Sequence, residues 1–375
     1  MNESPIYLDY NATTPVLPEV VDAMLPFLTE HFGNPSSRHH YGRIALDAVE
    51  RARGEVAALL NCDADEIVFT SGATEASNLA IRGMKPGDRR RIVTSTIEHP
   101  ATAAATGWLE SHGFEVIRLG VDSTGRVAGA DLESAVDETT ALVTLMHSNG
   151  ETGVLQPIRE AARAARRVSA LVHTDAAQSA GKVPLDVRAL DIDFLSMAGH
   201  KLYAPKGVGA LFVRRGIALE PLLVGAGHER GLRAGTENVA SIVGLGVAST
   251  IARRDLEEES ARVRGLRDRL WALLSDAIPV TMNGHSTDRL PNTLNVRFPN
   301  VSAVALLARA DGVAASTGSA CHAGSEKPSG ILLSMGIAPE QALGAVRLSL
   351  GRQTSQQDVD RAAECLAVAW QQIAN

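Results

Sequence analysis

The sequence predicts an α/β protein whose mostly parallel sheet is covered by helices on both faces. Three observations carry the prediction: short apolar runs at 67–70, 91–95, 114–119 and 141–146, helical periodicity in the stretches between them, and polar or glycine-bearing turns just after the runs end. Strands that alternate with helices form βαβ crossovers, and these bury a parallel sheet between two helical layers. A chain of 375 residues is long for a single core, so a second, smaller unit is expected beside the first.

Taken in order, the chain starts with a short extended stretch at 6–10. The loop Asn11-Ala12-Thr13-Thr14-Pro15 then leads into a helix beginning near Pro18. Gly33-Asn34-Pro35-Ser36-Ser37 is a turn cluster. Over 43–60 the apolar residues Ile44, Ala48, Ala52, Val56, Leu59 and Leu60 recur every three or four positions, which predicts an amphipathic helix. The strand 67–70 runs through Ser71-Gly72-Ala73-Thr74-Glu75 into a helix at 74–82. The strand 91–95 precedes Glu98-His99-Pro100 and a helix at 101–111, and strands 114–119 and 141–146 follow. From Val239 to about Ala277 a long helical pattern turns polar after Arg253 and carries the chain out of the large unit. Segments 292–296, 306–313 and 345–350, with a helix from Gln356, read as a smaller α+β unit that includes the N-terminal segment. The expected division is 15–256 for the large unit, and 1–14 with 257–375 for the small one.

Composition narrows the function. Hydrophobic content of 45% and charged content of 21% are ordinary for a globular protein. A net charge of −7 and a pI near 5.9 argue against direct binding to a nucleic-acid backbone. No apolar run approaches the roughly 18 residues that span a bilayer, so no membrane partner is expected. Met1-Asn2-Glu3-Ser4-Pro5 has neither the basic region nor the apolar core of a signal peptide, and the expected location is the cytoplasm. The three cysteines, Cys62, Cys321 and Cys365, are odd in number and lack CxxC spacing, which argues against a disulfide framework and a structural metal site.

The chemistry concentrates between His173 and Lys201. Asp175 and Gln178 follow the apolar run 170–172, and His200-Lys201 follows a second run at 192–197. Two buried strands would therefore deliver a carboxylate and an amine to one edge of the sheet, where open α/β sheets bind ligands. Pyridoxal phosphate enzymes need that pair: a lysine for the Schiff base and an acid against the pyridinium nitrogen. The strand-to-helix turn holding Ala73 and Thr74 offers free N–H groups to a phosphate. His99 follows a strand end at the same edge, where a ring could stack on a planar cofactor or move a proton. Arg347, in a strand-like run, could fork onto a carboxylate. Cys321 lies in Ser316-Thr317-Gly318-Ser319-Ala320-Cys321-His322-Ala323-Gly324-Ser325, a run of small residues that cannot pack a core. An exposed loop thiol there is a candidate nucleophile, with His322 favouring thiolate. Each has a plainer reading taken singly: a solvated lysine, a capping turn, a structural histidine, a surface salt bridge. Cys62 and Cys365, in or beside helical patterns, read as buried. The glycine-rich 225–237 lacks the spacing of a nucleotide loop.

Together these features resemble one family. Tyr7 to Pro15, the 71–75 turn, His99, the Asp175 and Gln178 pair, His200-Lys201, the run 230–238, Gly318-Ser319-Ala320-Cys321 and Arg347 occur in the order expected of NifS/IscS-type cysteine desulfurases, class V aminotransferases among the fold-type I pyridoxal phosphate enzymes. The resemblance covers nearly the whole chain and implies a large unit with a mostly parallel seven-stranded sheet sandwiched by helices. Lys201 would carry the Schiff base, Asp175 the pyridinium proton, and His99 would stack on the ring. Gln178 would bond the phenolic oxygen. Ala73, Thr74 and His200 would hold the phosphate, with Thr236 arriving from the second subunit of a homodimer. Arg347 and Asn11 would bind L-cysteine. Cys321, on a mobile loop spanning about 316–330, would take the sulfur as a persulfide, release L-alanine and pass the sulfur to an acceptor protein for iron–sulfur assembly, tRNA or DNA thio-modification. The length of 318–328 resembles the long-loop, IscS-like branch.

Two positions depart from the family pattern. Ala198 stands where a Ser or Thr usually donates to the phosphate, and Gly150 stands where the second Asn of Asn-Asn-Glu usually contacts cofactor or substrate. Each lost neutral hydrogen bond is worth about 0.5–1.5 kcal/mol, and Asn149 or a water is the candidate replacement. Two other functions stay open on sequence alone. Residues 171–178, the apolar Ala198 and Ala320-Cys321-His322 also resemble selenocysteine lyase, while Gly150 and Ala198 would suit a non-catalytic acceptor or scaffold subunit.

Overall fold

The computed structural model describes residues 4–317 and 327–374. Among them are twelve strands: β1 Ile6–Tyr7, β2 Ile67–Thr70, β3 Arg91–Ser95, β4 Glu115–Leu119, β5 Thr140–Thr144, β6 Leu171–Asp175, β7 Phe194–Ala198, β8 Gly209–Val213, β9 Thr281–Asn283, β10 Thr293–Arg297, β11 Val313–Ala314 and β12 Ala345–Ser349. Seven form one sheet in the order β2-β8-β7-β6-β5-β3-β4, in which only β8 runs antiparallel to its neighbours. The inner strands β5 and β7 are buried along their whole length, as expected where helices cover both faces. Separate apolar clusters pack on the two faces of this sheet.

A second sheet, β12-β10-β9, is antiparallel and has its own apolar cluster, to which the N-terminal Ile6 and Leu8 contribute. The helix Val239–Ala277 links the two regions. Ile242 to Ala252 pack in a cluster of the large sheet, and Val263, Leu270 and Leu274 in that of the small one. The segment after β1 returns toward the large sheet: Thr14 N–H and Oγ1 both donate to the His200 carbonyl.

Two local expectations shift. The helix His40–Leu60 buries Ala52, Val56, Leu59 and Leu60 as the spacing predicts, but in its first half it buries Ala45 and Val49 while Ile44 and Ala48 are half-buried, and it turns Arg53 inward to an acidic partner. β8 has no counterpart among the expected strands; it follows a glycine-rich turn too closely for a crossover helix and so inserts antiparallel between β2 and β7. Among the described residues no helix is long and apolar enough to cross a membrane.

Candidate active site

A pocket of about 840 Å³ opens at the carboxyl ends of β2, β3, β5, β6 and β7. Strand ends of an open parallel sheet bring loops from distant sequence to one edge, so the backbone itself assembles the site. Its walls include Thr74, His99, Asp175, Gln178, His200, Lys201, Arg347 and Asn11. The volume fits a cofactor together with a small amino acid.

Asp175 ends β6, and the register pairs it with Ser196 of β7, five residues before Lys201. One Asp175 oxygen accepts from Ala177 N–H at 2.9 Å. Among the described residues neither its other oxygen nor the Lys201 amine has a protein partner. Burial pushes the Lys201 amine below the usual lysine range and Arg347 adds to the effect, while Asp175 and Asp9 oppose it. His99 caps the helix Pro100–Glu110, its Nδ1 accepting from Ala101 N–H at 3.2 Å. The ring proton therefore sits on Nε2. Desolvation lowers its pKa and Lys201 lowers it further, Asp175 opposing, so His99 is neutral at pH 7.

The helix Ala73–Gly83 begins at the pocket wall. Its first amides lack intrahelical acceptors and face a region that favours an anion. Gly209 makes this turn possible: a Cβ there would lie 2.6 Å from Gly72 Cα and 2.6 Å from the Met197 carbonyl oxygen. Glu75 does not oppose an anion with a free charge, because Ser71 N–H and Arg233 Nε both donate to it. Desolvation by its surroundings and the neighbouring lysines, led by Lys201, push the pKa of His200 down to about 4, so its ring is neutral.

Arg347, from β12, reaches in from the small sheet. It pairs with Asp9 at 2.7 Å and donates to the Gly150 carbonyl at 3.2 Å, while its buried Nε–H has no partner among the described residues. Asn11 lines the pocket wall. It is 1% exposed, and its amide is used up on Gly150 O, Thr293 Oγ1, Asn292 Nδ2 and Lys182 Nζ. Its carbonyl accepts from Gln178. Asn149 likewise does not reach out to replace a missing side chain at 150, because its Oδ1 is bound by Glu151 N–H, Thr152 N–H and Thr152 Oγ1. Ala198 lines the pocket with no polar group to offer.

Thr236 is exposed and is not part of this pocket in its own chain. Cys321 and His322 lie outside the described residues. The segment that holds them is bracketed by a backbone bridge from Ser316 to Arg347 and by Ser329 Oγ, which donates to Glu151 at 2.8 Å. Cys62 and Cys365 are half-buried, and desolvation together with nearby carboxylates pushes the Cys62 thiol up to about 12, so it stays protonated.

Three polar residues of the site lay outside the sequence reading. Glu151 is buried with one oxygen unpartnered among the described residues, and burial raises its pKa. Glu98 accepts from Ser95 Oγ and Met146 N–H, and burial pushes it up to about 8. Lys182 lies behind Lys201, on the wall of a second cavity of about 40 Å³, and bonds Asn11 and Gln178. The acidic-histidine pair Glu98-His99 and the spacing of Gln178 and Lys182 by one helical turn were the only signals available.

Comparison with known proteins agrees with this geometry. The model of the family described as aminotransferase class-V matches residues 6–362. A cysteine desulfurase IscS from Methanosarcina thermophila is 44% identical, covering 99% of this chain and 93% of the relative. A solved NifS-like protein superposes with a TM-score of 0.91 at 36% identity, over 97% of this chain and 98% of that one. A structure described as SspA in complex with cysteine gives a TM-score of 0.83 at 36% identity, over 93% and 99%. The chain belongs to the aminotransferase class-V family, among its NifS/IscS-type cysteine desulfurases.

Proposed function

We propose that this protein is a pyridoxal phosphate-dependent cysteine desulfurase that converts L-cysteine to L-alanine and leaves the sulfur as a persulfide on Cys321. The observation that carries the reading is the pairing, on adjacent strand ends, of an amine and a carboxylate oxygen that no described protein group satisfies, facing one pocket. Both groups open onto the pocket, where a ligand can satisfy them, and this donor set fits the cofactor. When bound, pyridoxal phosphate supplies an aldehyde for a lysine amine and a ring that accepts electron density from the substrate Cα.

The chain's own groups then divide the work. Lys201, its pKa depressed by burial, would bond an aldehyde carbon and move a proton at the substrate. Asp175 would hold a ring N–H through its free oxygen. Ala73 and Thr74 N–H groups, with neutral His200, would hold the phosphate. His99 would lie on the ring and offer the proton on Nε2. Arg347 would receive the substrate carboxylate by trading part of its bonding to Asp9 and by using its unpartnered Nε–H. Asn11 would act one step back, holding the Gly150 carbonyl that Arg347 also binds. Cys321 would attack the substrate sulfur: the S–S bond forms as Cβ–S breaks, the electron pair of that bond stays on Cβ, and Cβ takes up the proton that the Cys321 thiol gives up, so that the carbon product is alanine.

The exposure of Thr236 outside its own pocket supports a homodimer in which it serves the partner's phosphate site. The acceptor of the persulfide would be a scaffold or sulfurtransferase protein in the cytoplasm. We take 15–256 and the remainder, 1–14 with 257–375, as the two units of the chain. The test is stoichiometric release of alanine from L-cysteine, lost in Cys321→Ala. Turnover of selenocysteine alone would favour the lyase, and a colourless protein that takes up no pyridoxal phosphate would favour the scaffold.

A further inference from the structure

Gln178 has an unusual set of partners. Its Oε1 accepts from Lys182 Nζ at 3.1 Å and its Nε2 donates to the Asn11 carbonyl at 2.9 Å. A lysine nitrogen here donates and a backbone carbonyl only accepts, so these partners fix which end of the amide is oxygen. Lys182 also donates to Asn11 Oδ1 at 3.3 Å, so one amine holds both residues. The second N–H of Nε2 has no protein partner among the described residues, and Gln178 lines the main pocket beside Asp175 and Lys201.

Gly150 gives the amide its space. A Cβ at this position would come within 2.9 Å of Gln178 Nε2, 3.3 Å of its Cγ and 3.4 Å of its Cδ. Gly150 is not among the residues with positive φ, so its backbone does not call for glycine. What glycine supplies is room. A Cβ at 150 would press on the Gln178 amide where Lys182 and Asn11 hold it.

We propose that Lys182 is a positioning residue which, with Gly150, locks the Gln178 amide so that its free N–H points into the pocket as a donor to a phenolate oxygen of the bound cofactor. This inference rests on the reading that the pocket takes pyridoxal phosphate. The resemblance assigns Gln178 to the phenolic oxygen; what the geometry adds is its clamp, the amine of Lys182, and the room that Gly150 leaves it.

The test is a titration of the purified protein, stripped of cofactor, with pyridoxal phosphate, read by fluorescence and by the visible absorption band. Wild type is compared with Lys182→Met, Gly150→Ala and Gln178→Ala, and with the two double variants that add Gln178→Ala. Lys182→Met is expected to loosen binding about 3- to 10-fold and Gly150→Ala about threefold, the worth of one hydrogen bond. Both should move the absorption band the same way as Gln178→Ala does. In the Gln178→Ala background neither should cost more than about twofold, because neighbours acting through one group are not additive. The added Cβ meets only the flexible Gln178 side chain and no backbone atom among its three nearest neighbours, so Gly150→Ala is expected to fold, and unchanged circular dichroism checks it. Effects that multiply in the Gln178→Ala background, or singles that bind like wild type, overturn this inference alone. A wild type that takes up no pyridoxal phosphate overturns it together with the functional reading.

Discussion

Replacing Arg53 by methionine tests how the glycine-rich loop is held. Arg53 forks onto Glu229, Nη1 to Oε2 at 2.7 Å and Nη2 to Oε1 at 2.9 Å, with side chains only 5% and 2% exposed. Nη1 also donates to the Ile67 carbonyl, and Glu229 accepts from Phe69 N–H, so the pair ties the loop to β2. Glu229, Arg230 and Gly231 all have positive φ (46°, 55° and 84°), a conformation that persists only where the surroundings enforce it. Arg53→Met leaves the Glu229 carboxylate buried with one N–H donor, which costs about 3–5 kcal/mol. Glu229→Gln should cost less, about 2 kcal/mol, because the amide oxygen still accepts from Phe69 and Glu50 still faces Arg53 at 3.1 Å. Urea unfolding gives both values, and the double variant should fall short of their sum by at least about 2 kcal/mol. Thr236 lies at the far end of the same loop, so affinity for pyridoxal phosphate should fall in Arg53→Met as well. A loss below about 1 kcal/mol, or strict additivity, would refute the idea that this pair anchors the loop.

Other consequences follow from the same geometry. Gly209→Ala puts a methyl 2.6 Å from Gly72 Cα, so it should destabilise by about 1–3 kcal/mol and weaken cofactor affinity, both measurable by thermal melts with and without pyridoxal phosphate. Arg347→Met should raise KM for L-cysteine by about 10- to 100-fold with a smaller change in kcat; a kcat loss at constant KM would remove the carboxylate role. Burial, with Lys201 and Arg347 adding to it, pushes the Lys182 amine down to about 7. Between pH 7 and about 10.5 the unfolded chain therefore holds a proton there that the folded chain has released, and this group makes stability rise with pH across that window. The stability of wild type relative to Lys182→Met should accordingly increase from pH 7 to pH 10; a pH-independent difference would place the amine in water.

The repeating strand and helix pattern was legible because βαβ units write their periodicity into adjacent residues. The strands 67–70 and 91–95 were read with the bounds they have. Asp175 and Lys201 were legible for a related reason: each follows its own apolar strand, and parallel strands bring their ends to one edge. What escaped depends on partners far apart in the chain. Arg53 is a charged residue beside the buried stripe of its helix, and its burial is explained by Glu229, 176 residues on. Lys182 bonds Asn11 across 171 residues, and Asn11 spends its amide on Thr293, 282 residues away. Gly150 read as a loss until the Gln178 amide was found against it. The likeness to known cysteine desulfurases supplied roles for such residues, but not the packing that turns a missing side chain into space for another.

The most direct measurement is borohydride reduction of the protein loaded with pyridoxal phosphate, followed by peptide mapping. The account predicts a stable pyridoxyl group on Lys201 and none on Lys182, the other amine with a depressed pKa in that region. A label on Lys182, or no labelled lysine at all, would contradict it.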